Sequence, residues 1–213
     1  MCKKPKASLL EEINEISNMA NLHFIRQKEL NGLGDAVSYA RHHVGKEPFA
    51  VLLGDTIIAS EVPATRQLID CHKEYDHSVI AVETVPREKV SRYGIIGGKK
   101  IGENIHEVTA LIEKPTVEES PSDLAIAGRY ILTPEIFDIL DNLPRGRNNE
   151  VQLTDGLKTL QTSQPVYALT IRGTRYDIGN KLDYLKTQVE YGLRREEFRE
   201  AFLAFLEQTL KSQ

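Results

Sequence analysis

The chain has 213 residues and a formal net charge of −4, with 40% hydrophobic and 27% charged residues. This composition predicts a soluble globular protein with a substantial core, and the acidic balance argues against a partner that is a nucleic acid polymer. The two cysteines, Cys2 and Cys71, form neither a disulfide framework nor a metal-binding pattern, which fits a reducing cytosol. No apolar run reaches the length of a membrane span, and no signal peptide is recognisable, so we predict a cytoplasmic protein that contacts no membrane.

The first part of the chain predicts an amphipathic helix over residues 7–20 and a short strand over residues 22–27. A turn that carries Gly32 then leads into a helix that ends near His43. Glycines there would allow a ligand to approach the backbone, and Gln27 offers an amide group. The alternative is a plain loop before a helix, because a Gly-x-Gly pair without a third glycine is only a weak sign of phosphate binding.

The stretch 49–58 predicts a central strand buried on both faces, because its apolar residues run unbroken into Gly54 and Asp55. Ligands of open α/β sheets bind at the carboxyl ends of the strands. A carboxylate at that edge can hold a divalent cation such as Mg²⁺ against phosphate oxygens. Taken alone, the same residues are better explained as a Gly-Asp turn after a core strand, so the metal-binding role depends on the rest of the chain.

The following residues predict a helix over 63–75 and a strand over 78–82, which together with the central strand form a βαβ crossover. A β-hairpin with its turn at residues 97–100 comes next, and a strand over 124–132 is broken by Gly128. Later elements are a helix that ends near Asn142, a helix that starts at about residue 150, and a strand over 166–171.

Residues 182–210 are predicted to be largely helical, with Phe198, Phe202 and Phe205 along one face that packs on the body of the protein or on a second subunit. No linker or internal repeat is found. We therefore predict one α/β domain over residues 1–213, with a sugar-binding β-hairpin lobe at about 91–132 and a carboxyl-terminal helical segment at about 180–213.

Eight short stretches, in order and at about the right spacing, resemble the bacterial UTP–glucose-1-phosphate uridylyltransferases (UDP-glucose pyrophosphorylases) of the sugar nucleotidyltransferase superfamily. They are Phe24-Ile-Arg-Gln-Lys-Glu29, Gly32-Leu-Gly34, Leu53-Gly-Asp55, Tyr93-Gly-Ile-Ile96, Ile112-Glu-Lys-Pro115, Ala127-Gly-Arg-Tyr130, Val151-Gln-Leu-Thr-Asp155 and Arg175-Tyr-Asp-Ile-Gly179. The resemblance implies a Rossmann-like nucleotide-diphospho-sugar transferase fold, with a mixed, mostly parallel central sheet flanked by helices. The family's amino-terminal Gly-x-Gly-Thr-Arg loop has no counterpart here, so the resemblance also implies an amino-terminally truncated fold.

The resemblance implies that Asp55 and Asp177 are carboxylate ligands of Mg²⁺, the only cofactor expected. Lys114 and Lys181 would bind the sugar phosphate, and with Asp55 they are the catalytic candidates. Glu113 would accept hydrogen bonds from glucose hydroxyls. Two alternatives stay open: Asp177 could cap the following helix, and Glu113 with Lys114 could be a surface ion pair of little energetic value.

The remaining substrate-binding candidates are glycines and one amide. By resemblance, Gly94 and Gly128 would let backbone groups reach the sugar, while Gln27 and Gly32 would read the uracil base. The implied reaction transfers a uridylyl group from UTP to glucose 1-phosphate. The alternative is a truncated, catalytically impaired relative that acts as a sugar-phosphate-binding or regulatory protein. A glycosyltransferase of similar fold is disfavoured because residues 55–57 lack an Asp-x-Asp motif. We also expect a homo-oligomer, since an uncovered sheet edge and the apolar face of the first helix would favour association.

Overall fold

The computed structural model describes residues 6–212 and divides into two compact units. The larger unit is Gln27–Tyr184, and the smaller one combines the described residues up to Arg26 with those from Leu185 onward. Cys2 lies outside the described residues, and Cys71 is a buried free thiol. In the described part of the chain, no helix is long and apolar enough to cross a lipid bilayer.

Helices and strands are interspersed along the chain. The α-helices of the described residues are α1 (Lys6–Asn18), α2 (Leu33–Ser38), α3 (Arg41–Val44), α4 (Ala64–Tyr75), α5 (Glu135–Asn142), α6 (Leu153–Leu160), α7 (Lys181–Arg194) and α8 (Arg199–Lys211). The strands are β1 (Phe49–Leu52), β2 (Thr56–Ala59), β3 (Ser78–Thr84), β4 (Gly94–Lys100), β5 (Ile105–Glu113), β6 (Leu124–Leu132), β7 (Val166–Thr170) and β8 (Thr174–Asp177).

The larger unit is built on a six-stranded mixed sheet with the order β1-β6-β3-β7-β5-β4. Strands β1, β3, β7 and β4 run in one direction, and β6 and β5 run in the other. The predicted mixed α/β sheet is confirmed. Parallel neighbours are fewer than predicted: only β3 and β7 pair in parallel among the described strands, because β6 and β5 each lie between strands of the opposite direction.

Helices cover both faces of this sheet. Ile80 and Val82 of β3 pack in a core with α2, α5 and α6, whereas Val79 and Ala81 pack in a second core with α4. Alternate residues of a strand point to opposite faces, so β3 is buried on both sides, and β6 contributes residues to the same two cores. The predicted crossover from β1 through α4 to β3 is present, but the antiparallel β6 separates its two strands.

The stretch predicted as the central buried strand is an edge strand instead. It ends at Leu52, and the chain turns at residues 53–55 before β2 begins. In β1, Phe49 and Val51 are half-buried against the core, while Ala50 and Leu52 are exposed. The prediction of burial on both faces was wrong because an unbroken apolar run does not tell whether helices cover one face or two.

Strands β2 and β8 form a separate two-stranded ribbon, which brings together parts of the chain that are far apart in sequence. Thr56 lies opposite Asp177 in the antiparallel register, and the Ile178 N–H donates a hydrogen bond to the Asp55 carbonyl at 2.9 Å. The ribbon therefore places Asp55 and Asp177, at one end of each strand, beside one another.

Strand β6 runs without a break from Leu124 to Leu132, and the interruption predicted at Gly128 is present as an irregularity of its pairing with β3. The register with β3 jumps from Ile80–Tyr130 to Val82–Ile126, which is a β-bulge in β6. Gly128 has a φ of +67°, and a β-carbon there would lie 2.9 Å from Thr56 Oγ1. The glycine is needed because Thr56, the first residue of β2, approaches it closely and because its φ is positive.

Two local predictions were wrong. Residues 22–27 form no strand, and their apolar members are exposed, including Phe24 at 92%. They have strand-forming residues but no paired strand in the described chain. The predicted hairpin does form, but β4 continues through Lys100. Gly97 and Gly98 mark a register shift against β5 and not the turn.

The smaller unit contains α1, α8 and the later part of α7. The predicted aromatic face is present in part. The Phe202 ring packs on α7 at Gly192, where a β-carbon would lie 2.6 Å from a ring atom. Phe198 and Phe205 are exposed, as are Ile13 and Ile16 of α1, so apolar side chains remain on the surface of this unit.

Replacing Leu157 by Ala is expected to lower the free energy of unfolding by about 2–5 kcal/mol. Leu157 lies on α6, is fully buried and packs in the core between the sheet and α5, so its removal leaves a cavity. Leu30→Ala, at a side chain that is 91% exposed, is the matched control and should change it by less than about 0.5 kcal/mol. Urea unfolding measures both. Equal effects would contradict the core assignment.

Candidate active site

The larger unit has a cavity of about 680 Å³, a size typical of small-molecule sites. Residues predicted from separate motifs meet in its wall. They are Asp55, Gly94, Glu113, Lys114, Gly128 and Asp177. The turn after β1, the ends of β5 and β8, and the bulge of β6 each contribute to this wall, so the motifs converge on one site.

Asp55 and Asp177 face a common space beside Gly179. A β-carbon at Gly179 would lie 2.9 Å from Asp55 Oδ2 and 3.4 Å from Asp177 Oδ1. In the described residues, no group of three or more His, Cys, Asp or Glu side chains could hold a metal ion. Two carboxylates whose remaining partners come from phosphate and water are a donor set that fits Mg²⁺, so these residues suit the cation that the resemblance implies.

The alternative explanation of Asp177, as the cap of the next helix, is not supported. The backbone N–H groups of Leu182 and Asp183 donate to Asn180 Oδ1 at 3.0 and 3.2 Å. Asn180 is therefore the residue that caps α7. The Asp177 side chain instead accepts a hydrogen bond from the Tyr93 hydroxyl at 3.1 Å.

Glu113 ends β5 and is held by a residue that the sequence analysis did not single out. The Thr154 hydroxyl on α6 donates to Glu113 Oε2 at 2.7 Å. A β-carbon at Gly94 would lie 3.0 Å from that oxygen and 3.2 Å from Thr154 Oγ1. Gly94 therefore leaves the room that this hydrogen bond occupies.

Lys114 adopts an uncommon backbone conformation. Its φ is +48°, in the left-handed region that non-glycine residues rarely occupy, and its N–H donates to the Tyr93 carbonyl at 3.0 Å. Its Nζ lies 3.8 Å from Glu113 Oε1, and the Glu113 side chain is only 17% exposed. The pair thus belongs to the cavity wall and is not a fully solvated surface ion pair.

Arg129 braces the turn that carries Asp55. Its guanidinium donates to the carbonyls of Leu53 at 3.0 Å, Gly128 at 2.8 Å and Thr56 at 2.6 Å. Burial lowers the pKa of Arg129, while the charge of Asp55 opposes that shift. The three carbonyl contacts fix the position of the turn relative to the bulge of β6.

Three predicted site residues are not among the described residues that line this cavity: Gln27, Gly32 and Lys181. Gln27 Nε2 donates to Asp35 Oδ2 at 2.5 Å and to the Gly32 carbonyl at 3.3 Å. A β-carbon at Gly32 would lie 2.6 Å from the Val151 carbonyl oxygen, so the protein's own backbone makes the close approach. Lys181 begins α7 and is exposed.

Several lining residues were missed as individual side chains, although some belong to the quoted motifs. They are Tyr93, Thr154, Arg175 and Asn180. Thr154 lies on a helix that is otherwise strongly apolar on its buried face, and a buried hydroxyl requires a hydrogen-bond partner. This requirement is the feature of the sequence that could have identified Thr154 as a residue of the site.

This chain is similar to known proteins over nearly its whole length. The nucleotidyl transferase family model matches residues 1–192. The UTP–glucose-1-phosphate uridylyltransferase YngB of Bacillus subtilis (strain 168) is 47% identical over 98% of this chain and 70% of its own length. The enzyme of that name from Staphylococcus epidermidis is 46% identical over 96% of this chain and 71% of its own length.

A solved structure of a UDP-glucose pyrophosphorylase complexed with UDP-glucose superposes with a TM-score of 0.85 and 38% identity. The match covers 89% of this chain and 73% of that one. The family resemblance and the Rossmann-like α/β fold predicted from the sequence are thereby confirmed, and this chain belongs to the nucleotidyl transferase family.

Proposed function

We propose that this chain is a Mg²⁺-dependent uridylyltransferase that converts UTP and glucose 1-phosphate to UDP-glucose and pyrophosphate. The names of relatives at 46–47% identity support this reaction. The observation that carries the proposal is that an acidic pair, Asp55 and Asp177, and a Glu-Lys pair, Glu113 and Lys114, line one cavity. A cytoplasmic location and a role in carbohydrate metabolism belong to the same proposal.

In this reaction, a phosphate oxygen of glucose 1-phosphate attacks the α-phosphorus of UTP. The bond between that phosphorus and the oxygen bridging to the β-phosphate breaks, and pyrophosphate leaves with the electron pair. The nucleophile is already an anion near neutral pH, so no general base is required. The protein's main tasks are to orient two anions and to neutralise their repulsion.

The side chains in the cavity divide these tasks. The Lys114 ammonium neutralises the sugar phosphate, and Glu113 accepts hydrogen bonds from sugar hydroxyls while Thr154 holds its Oε2 atom. Asp55 and Asp177 would hold Mg²⁺ beside Gly179. When bound, the ion would supply positive charge between the phosphate groups. Arg129 keeps the Asp55 turn in place through the carbonyls that it binds.

The test is a turnover assay with UTP, glucose 1-phosphate and Mg²⁺ that detects both UDP-glucose and pyrophosphate. Equal molar amounts of the two products support the proposal. Calorimetry with glucose 1-phosphate separates the alternative, because binding without turnover would contradict the transferase and indicate a sugar-phosphate-binding protein. Galactose 1-phosphate serves as the comparison substrate, since it differs only in the orientation of one hydroxyl.

Replacing Thr154 by Val should raise the KM for glucose 1-phosphate about tenfold, because Glu113 loses a hydrogen bond to a charged group. Thr154→Val keeps the shape of the side chain, so the fold should be preserved. Thr154→Ser retains the hydroxyl and should restore most of the affinity. The measurement is initial rate against glucose 1-phosphate concentration at saturating UTP. If the KM of Thr154→Val equalled that of the unaltered chain, Thr154 would have no role in binding glucose 1-phosphate.

A further inference from the structure

The Asp177 carboxylate is contacted on one oxygen by two side chains from other parts of the cavity wall. The Tyr93 hydroxyl donates to Asp177 Oδ2 at 3.1 Å, and Arg175 Nη1 lies 3.9 Å from the same oxygen. Tyr93 precedes β4, whereas Arg175 is two residues before Asp177 on β8 and therefore points to the same face. The two contacts come from different elements and meet at one atom.

Arg175 is itself held firmly. Its side chain is only 7% exposed, and its Nε donates to the carboxylate of Glu83 on β3. Its guanidinium carbon lies 4.5 Å from the centre of the Tyr93 ring, within the range of a cation–π contact. We call these three residues, Glu83, Arg175 and Tyr93, the bracket. Their mutual contacts fix the orientation of the Tyr93 hydroxyl and of the Arg175 guanidinium, which are the two groups that face Asp177.

The bracket determines which way the Asp177 carboxylate is turned. Because Tyr93 and Arg175 both act on Oδ2, the other oxygen, Oδ1, is the one directed toward Gly179. Asp55 Oδ2 borders the same glycine. A carboxylate without such support can rotate about its Cβ–Cγ bond. Neither of its oxygens would then stay directed toward the space that Asp55 borders. Partners of this kind tune metal ligands elsewhere in proteins.

We infer that Tyr93 and Arg175 are positioning residues that orient Asp177 as a ligand with one oxygen turned toward the cation site. This inference rests on the proposed function, because it requires Asp55 and Asp177 to hold the divalent cation. Neither Tyr93 nor Arg175 needs to touch the reacting phosphorus. Their contribution is to the affinity for the ion, and the binding of glucose 1-phosphate is left unchanged.

Tyr93→Phe is the decisive variant, because it removes the hydroxyl and keeps the ring against Arg175. The dissociation constant of Mn²⁺ for the full chain with saturating UDP-glucose, whose phosphates supply further ligands, should rise about tenfold when measured by water-proton relaxation. The Mg²⁺ concentration for half-maximal turnover should rise by the same factor, with the KM for glucose 1-phosphate unchanged. Tyr167→Phe, which removes a tyrosine hydroxyl from a strand that contributes no residue to the cavity wall, should change none of these quantities.

Substitution of Arg175 is a poorer test, because it would leave Glu83 without its buried partner and could unfold the protein. Asp55→Asn is therefore included to show that the measured Mn²⁺ occupies this site. Loss of Mn²⁺ binding in Asp55→Asn with unaltered binding in Tyr93→Phe would overturn the inference alone. Absence of Mn²⁺ binding by the unaltered chain, or binding that survives Asp55→Asn, would overturn the proposed cation site and the inference with it.

Discussion

Asp177→Asn is expected to reduce the turnover of UTP and glucose 1-phosphate by at least about 100-fold, since a metal ion stabilises the transition state by several kcal/mol and each 1.4 kcal/mol is a factor of ten. Asn keeps the size of the side chain and removes its charge, so the ribbon of β2 and β8 should persist. Asp55→Asn should have a comparable effect. Rates measured over a range of Mg²⁺ concentrations distinguish a weakened site from a destroyed one.

The matched control is Asp70→Asn, at an exposed carboxylate on α4 that pairs with Arg66 one helical turn away, and this variant should keep full activity. Two glycines extend the test to geometry. A β-carbon at Gly179 would contact Asp55 Oδ2 at 2.9 Å, whereas one at Gly54 would contact nothing within 4 Å. Gly179→Ala should therefore impair activity much more than Gly54→Ala. Equal activity in all five variants would refute a shared role for the two aspartates.

Lys114 is the second residue at which a large effect is expected. Lys114→Ala and Lys114→Gly should both raise the KM for glucose 1-phosphate about 10- to 100-fold, because a charged hydrogen-bond donor to the phosphate is lost. The two variants should differ in stability. At a φ of +48°, Gly adopts the backbone conformation without the steric cost that Ala retains, so Lys114→Gly should be more stable than Lys114→Ala by roughly 1 kcal/mol.

Lys158→Ala, at an exposed lysine on α6, is the control for loss of a positive charge and should leave the KM unchanged. Kinetics against glucose 1-phosphate and urea unfolding of the same preparations provide both measurements. If Lys114→Gly were less stable than Lys114→Ala, the left-handed conformation would not be a source of strain. A normal KM in both variants would exclude Lys114 from phosphate binding.

The positions of most helices and strands could be predicted from the sequence, because periodicity and turn residues act locally. The apolar run at 49–58 shows the limit of that information. It indicated burial, but the edge position of β1 depends on its pairing with β6, and the register of that pairing is set by distant residues. For the same reason, the number of parallel neighbours in the sheet was overestimated.

Some residues of the candidate site could likewise be predicted from the sequence, and others could not. Asp55, Glu113, Lys114 and Asp177 were predicted because they lie in short motifs that resemble those of the family, and Asp55 also because it follows an apolar strand. Thr154, Tyr93 and Arg175 were missed because their importance lies in contacts across elements, such as the hydrogen bond from α6 to the end of β5. The described cavity wall does not include Gln27, Gly32 or Lys181. The substrate-binding roles of these three residues therefore stay predictions.

The ribbon of β2 and β8 has a consequence for the folding of the enzyme. It joins two segments with most of the larger unit between them in sequence, so the chain must close a long loop before the two aspartates meet. Contacts of this range form slowly and depend on the surrounding sheet. Cation binding should therefore appear late during refolding, and an ion that binds only the closed ribbon should slow its opening.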